Sequence, residues 1–179
     1  MLKTLLQRYI ALIGRSGKML EKLSPKTEAI LIERFGKDSL IALATTVHNV
    51  PYVRTVDAFY ENGAFYVLTH ALSGKMKQIR ENPVVAVSGE WFTAHGKGVN
   101  LGWFGSDENK AVAEKMKTVF AEWIDNGHNN FEDRNTCILR IELTEGILFS
   151  MGTRYDIVFF SGADKCVQYA WLHRRMGTA

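Results

Sequence analysis

The sequence predicts an α+β fold built on a small antiparallel β-barrel, and three observations carry that expectation. From Ser39 the chain runs SLIALATTV, YVRTVDAFY and AFYVLTHAL, with turns at His48-Asn49-Val50-Pro51 and Glu61-Asn62-Gly63. Asn-Gly between two such runs is a strong short-range hairpin signal, so three strands form a meander. Later strand-like runs follow without alternating helices, which argues against a doubly wound parallel sheet. Finally, 179 residues with 46% apolar and 23% charged composition suit one ordinary globular domain with its own core.

The elements follow in order. Leu2, Leu5, Leu6, Tyr9, Ile10 and Ile13 recur at helical spacing, so residues 2–13 read as an amphipathic helix ended by Gly14, Ser16 and Gly17. Ser24 as N-cap, Pro25, TEAILIERF and Gly36 mark a second helix. After the meander, a short basic helix from Gly74 to about Glu81 is capped by Ser73 and stopped by Asn82-Pro83. Strands are expected at Val84–Phe92 and, after a Gly-rich bend, at Lys97–Phe104. Ser106-Asp107-Glu108 starts a helix with Val112, Met116, Val119, Phe120, Trp123 and Ile124 on one side. TCILRIEL and GILFS read as two strands separated by Thr144–Glu145, and RYDIVFF as one more. The organisation expected is a helical extension at 1–35, a barrel domain at 36–160 and a tail at 161–179.

Several function classes are disfavoured. No run of about 20 apolar residues exists for a membrane span, and Gln7 and Arg8 interrupt the only signal-peptide candidate. Cys137 and Cys166 form no CxxC pair and no Asn-x-Ser/Thr site occurs, so a reducing cytoplasm is the expected compartment. The net charge is +3; residues 1–24 carry five basic side chains against Glu21, leaving the remainder near neutral, so no nucleic-acid partner is expected. A membrane surface is likewise not expected to be a partner, because a helix covering a core or a dimer has the same apolar stripe. The five histidines lack metal-ligand spacing, and no Gly-x-Ser-x-Gly elbow exists. Gly96 to Gly102 imitates a dinucleotide fingerprint with one residue too many and lies between strands; glycines where backbones approach closely explain it better.

The informative chemistry lies around Thr69 to Lys77. A helix N-terminus is electropositive, so lysines in its first turn are unfavourable by a few tenths of a kcal/mol. Lys75 and Lys77 both lie there, with no acid before Glu81. A bound anion fits, held by free N–H groups, the Ser73 hydroxyl and a lysine ammonium; a solvated basic helix fits the lysines alone. Arg54 tips the balance. It sits in a mostly apolar strand, and the Asn62-Gly63 turn sets it and Thr69 at the same open end. Arg54, Thr69, Ser73 and Lys75 then converge on one phosphate.

Arg54-Thr55-Val56, the Asn-Gly hairpin, Tyr66-Val67-Leu68-Thr69, Ser73-x-Lys75 and Asn82-Pro83-Val84-Val85 together resemble the pyridoxamine 5′-phosphate oxidase-like split-barrel family. The resemblance spans about residues 36–150. It implies a six-stranded antiparallel split β-barrel with peripheral helices, a homodimer, and FMN bound in two clefts at the subunit interface. Carried over by position, Arg54 and Lys75 bind the FMN phosphate, and Thr69 and Ser73 add hydrogen bonds. Thr55 and Val56 lie against the ring or ribityl chain through backbone groups. Asn100 either approaches the isoalloxazine edge or stabilises a turn. Trp91 and Trp103 are expected in the core or at the dimer interface. The family's substrate-phosphate motif is not matched by the tail, which shares only Trp171 followed by Arg174 and Arg175. A true pyridoxamine 5′-phosphate oxidase is therefore not expected; the expected activity is hydride transfer through FMN N5 to or from a small substrate, with a small molecule or a nicotinamide donor as partner and no protein catalytic residue identified. The alternatives are a non-catalytic or stress-related flavin carrier, or the same barrel with haem or a deazaflavin.

Overall fold

A computed structural model describes residues 21–159. The helix expected at 2–13 and the tail at 161–179, with Cys166, Arg174 and Arg175, lie outside the described residues.

The meander forms as β2 (Ser39–Val47), β3 (Val50–Glu61) and β4 (Ala64–His70), with one correction: Val50 and Pro51, expected in the turn, pair with Val47 and Thr46 as the start of β3. Both connecting turns, His48-Asn49 and Asn62-Gly63, place both of their residues at positive φ. Such two-residue turns match the twist of the flanking strands and fix their register. Val47 therefore pairs with Val50, and Glu61 with Ala64. With β5 (Val84–Gly89), β6 (Phe92–Trp103) and β7 (Thr136–Ser150), the order is β7-β4-β3-β2-β5-β6, and β6 returns to β7. Six antiparallel strands thus close into a barrel. Strand β8 (Thr153–Val158) extends β7 outside this ring, and β1 (Glu21–Lys22) adds to β8 in parallel.

The barrel is split at one seam. β3 keeps β2 from Ala58 back to Val50, yet meets β4 only over Phe59, Tyr60 and Glu61. β4 pairs instead with β7 along its whole length. Beyond Phe59 and Tyr66 the two hairpin strands diverge, which exposes backbone groups of β3 on that side.

Helices seal the barrel. α1 (Pro25–Phe35) starts at a Ser24–Thr27 capping box and inserts Leu31 and Phe35 into the main core. Tyr60 donates to Glu28 Oε2 at 2.6 Å, tying α1 to β3. α2 (Gly74–Glu81) closes the mouth beside the seam with Met76 and Ile79, and Asn82 fixes its end by donating to Thr46 O at 3.1 Å. A 3₁₀ turn (Asp107–Asn109) leads into α3 (Lys110–Val119). Its Ala113 and Met116, with Phe120 and Ile124 beyond it, cover the outer face formed by Phe59, Ala64, Tyr66 and Ile138.

Three local expectations are corrected. The β5–β6 hairpin turns at Glu90-Trp91, not at the glycines, because Gly89 pairs with Phe92 and Phe92 must reach the core. β7 is a single strand: Thr144 is an extra residue between the pairs Gly96–Leu143 and His95–Glu145, a bulge instead of a break. Trp91 is 69% exposed at positive φ in its turn, which removes the core from its two expected places and leaves the dimer interface.

Gly96 does mark a close backbone approach, as the sequence suggested. A Cβ there would stand 2.6 Å from the Glu142 carbonyl oxygen, an atom of the paired strand that cannot swing aside. Gly96→Val is expected to destabilise the fold by about 1–3 kcal/mol, read as a lower urea midpoint with an unchanged slope.

Candidate functional site: an anion cradle at the barrel seam

The seam and the N-terminus of α2 place the predicted residues together. Along β3, Val56, Ala58 and Tyr60 face the core, so Arg54 shares their side and emerges at the mouth. Along β4, Phe65 and Val67 face the core, and Thr69 follows in the same alternation, paired with Cys137 of β7. The chain then turns at His70, whose carbonyl accepts from Ser73 N at 3.0 Å, and enters α2. Lys75 stands close enough to Arg54 to feel its charge, and Cys137 is a further neighbour.

Arg54 is held by neutral groups. Nη1 donates to Leu43 O at 3.1 Å and to Thr45 Oγ1 at 2.8 Å, and Nη2 donates to Gln78 Oε1 at 2.7 Å. Among the described residues, no carboxylate lies within ion-pair distance of Arg54 or Lys75. Burial, and then the neighbouring guanidinium, pull the Lys75 pKa below its ordinary value. Burial pushes the Cys137 thiol up to about 11 despite Lys75, which keeps it protonated at neutral pH.

The hydroxyls complete the picture. Thr69 Oγ1 and Ser73 Oγ are both buried, and neither has a hydrogen-bond partner. Ser73 occupies the N-cap position expected of it, but its side chain makes no capping bond, and no acidic residue lies in the first turn of α2. That corrects the capping role: the hydroxyl is buried and bonds none of the helix amides. A buried hydroxyl left unsatisfied costs about 1–3 kcal/mol. Two of them, two unneutralised cations and the free amides of a helix start make one electropositive cradle, which fits a phosphate.

The remaining site expectations fall around this cradle. Thr55 is exposed on the outer face, paired with Ala42, while the Val56 side chain is buried in the core. Any contact from Val56 to a ligand is therefore through its backbone, on the edge freed by the seam. Asn100 Oδ1 accepts from Gly102 N at 2.9 Å, the turn-stabilising arrangement, where β6 shifts register. Trp103 is half-buried; it donates to Phe131 O at 2.9 Å and lies under the Arg134 guanidinium, 3.8 Å from the ring centre. Thr45, Gln78 and Cys137 were missed. The His48-Asn49 turn sets Leu43 opposite Arg54, with Thr45 diagonal to it. Gln78 lies one helical turn after Lys75. Those signals were present but weak.

Six antiparallel strands closed into a barrel that is split at one seam define a class by fold alone: the α+β split barrels of pyridoxamine 5′-phosphate oxidase-like proteins, the fold this chain has. No protein-family model and no curated protein matches the chain, so the likeness rests on structure. A pyridoxamine 5′-phosphate oxidase-like protein of Listeria innocua superposes with a TM-score of 0.53 at 13% identity, over 72% of this chain and 97% of that one. An FAD-binding protein of Mesorhizobium loti gives 0.54 at 17% identity, over 72% and 96%. HutZ, the haem storage protein of Vibrio cholerae, gives 0.56 at 17% identity, over 74% and 100%.

Proposed function

We propose that the protein binds FMN through this cradle and acts as a flavin-dependent oxidoreductase on a small substrate, with a nicotinamide donor. The observation that carries the reading is the pair of buried, unpartnered hydroxyls of Thr69 and Ser73 beside Lys75 and Arg54. A terminal phosphate offers the acceptor oxygens and the double negative charge that this set lacks. Arg54, Thr69, Ser73 and Lys75 would hold that phosphate, and the backbone edge at Thr55 and Val56 would face the rest of the cofactor. Bound flavin supplies hydride transfer at N5; the chain supplies binding, orientation and exclusion of water.

A homodimer belongs to the same proposal. The outer face carries Leu40 at 66% and Val53 at 73% exposure. Val53 also lines a groove of about 440 Å³, in which Ala42, Ala44 and Ile147 stand beside His95, Glu145 and Asp156. A second copy would cover this face, and light scattering at micromolar concentration should give twice the chain mass. No helix among the described residues is long and apolar enough to cross a membrane.

Haem is the second reading, favoured by the likeness to the barrel of a haem storage protein. Absorption spectra of the purified protein titrated with FMN and with haemin decide between them. The expected result is a saturable flavin spectrum with nicotinamide-dependent bleaching and no stoichiometric haem band. Stoichiometric haem binding with no response to FMN would reject the flavin assignment.

A further inference from the structure

Arg54, Thr45 and Gln78 make a closed hydrogen-bonded set whose geometry goes beyond binding a phosphate. Gln78 Oε1 accepts from both Thr45 Oγ1 at 2.6 Å and Arg54 Nη2 at 2.7 Å. Thr45, buried at 1% exposure, gives its only proton to Gln78 and receives Arg54 Nη1 on its lone pair. Leu43 O takes the second Nη1 hydrogen. Three of the five guanidinium hydrogens are therefore fixed by a carbonyl, a hydroxyl and an amide, leaving Nε–H and one Nη2–H for a ligand. All three acceptors are neutral.

We propose that Gln78 and Thr45 are positioning residues: a neutral bracket that fixes the Arg54 guanidinium while leaving its charge for a phosphate-bearing ligand. The inference rests on the phosphate reading of the cradle and adds to it. A carboxylate at position 78 could accept the same two hydrogen bonds, but it would neutralise the arginine from behind and cancel the attraction for the anion. A hydrocarbon there would free the guanidinium to swing, so each binding event would have to order it. The amide does neither.

The test compares FMN with riboflavin, which lacks the phosphate, on the full chain. Gln78→Glu keeps the size and an oxygen in the place of Oε1, which accepts both hydrogen bonds. It is expected to weaken FMN about 10-fold or more, with riboflavin within about twofold and an undiminished melting temperature. Thr45→Val should lower the FMN preference as well, and Thr45→Ser should restore it. A structural role alone would weaken both ligands equally and track the melting temperature. Unchanged FMN affinity in Gln78→Glu, or equal losses for both ligands, would overturn the bracket while leaving the phosphate reading intact. A wild-type protein that binds riboflavin as tightly as FMN would overturn both.

Discussion

Lys75→Ala is expected to weaken FMN binding about 10- to 150-fold, because each charge-assisted hydrogen bond to phosphate is worth about 1.5–3 kcal/mol. Riboflavin affinity should stay within about twofold. The variant separates binding from folding: Lys75 makes no ion pair among the described residues, and it sits beside a second cation. Its loss should not destabilise the ligand-free protein. The pH dependence has a definite sign. Burial and Arg54 lower the folded-state pKa of Lys75, so between that value and the ordinary lysine value of about 10.4 the unfolded chain binds more protons. Stability of the ligand-free protein therefore gains from this group as pH rises through that window. FMN affinity moves the other way, falling as the ammonium is lost at a pH below the usual lysine range. Equal losses of FMN and riboflavin in Lys75→Ala, measured by fluorescence quenching, would remove the phosphate from the site.

Phe65→Ala should produce the largest loss of stability, about 3–5 kcal/mol, against a total of about 5–15 kcal/mol for a domain. Phe65 is fully buried on β4, where it meets the rings of Phe35 at 5.6 Å, Tyr60 at 5.5 Å and Phe92 at 6.3 Å. Those partners come from α1, β3 and β6, so one ring joins the helix that seals the barrel to opposite walls of it. Truncation leaves a cavity that rigid strands cannot collapse around. Urea unfolding should show a much lower midpoint; a loss below about 1 kcal/mol would mean that α1 does not pack as described.

These two residues also mark how far the sequence could be read. Lys75 was legible because its oddity is local: a cation in the first turn of a helix with no acid to offset it. Ser39–Val47, Ala64–His70 and Gly74–Glu81 were legible for the same reason, since alternation, Asn-Gly and Asn-Pro act over a few residues. The β5–β6 turn was not. Glu90-Trp91 carries no turn chemistry of its own, and it bends only because Phe92 is drawn into a core assembled from distant strands. The same holds for β7, where Thr144 looked like an interruption until β6 on one side and β8 on the other carried the strand through it.

By itself the sequence determined the strand meander and the basic helix, and it singled out Arg54, Thr69, Ser73 and Lys75 as candidates, since these follow from short-range periodicity, turn geometry and unbalanced charge. Only the tertiary structure decided that β4 leaves β3 for β7, and that divergence opens the seam. It alone placed Gln78 and Thr45 around Arg54 and left two hydroxyls buried without partners. The physical reason is that strand pairing and burial are settled between residues far apart in the chain, whereas propensity and charge pattern act between neighbours.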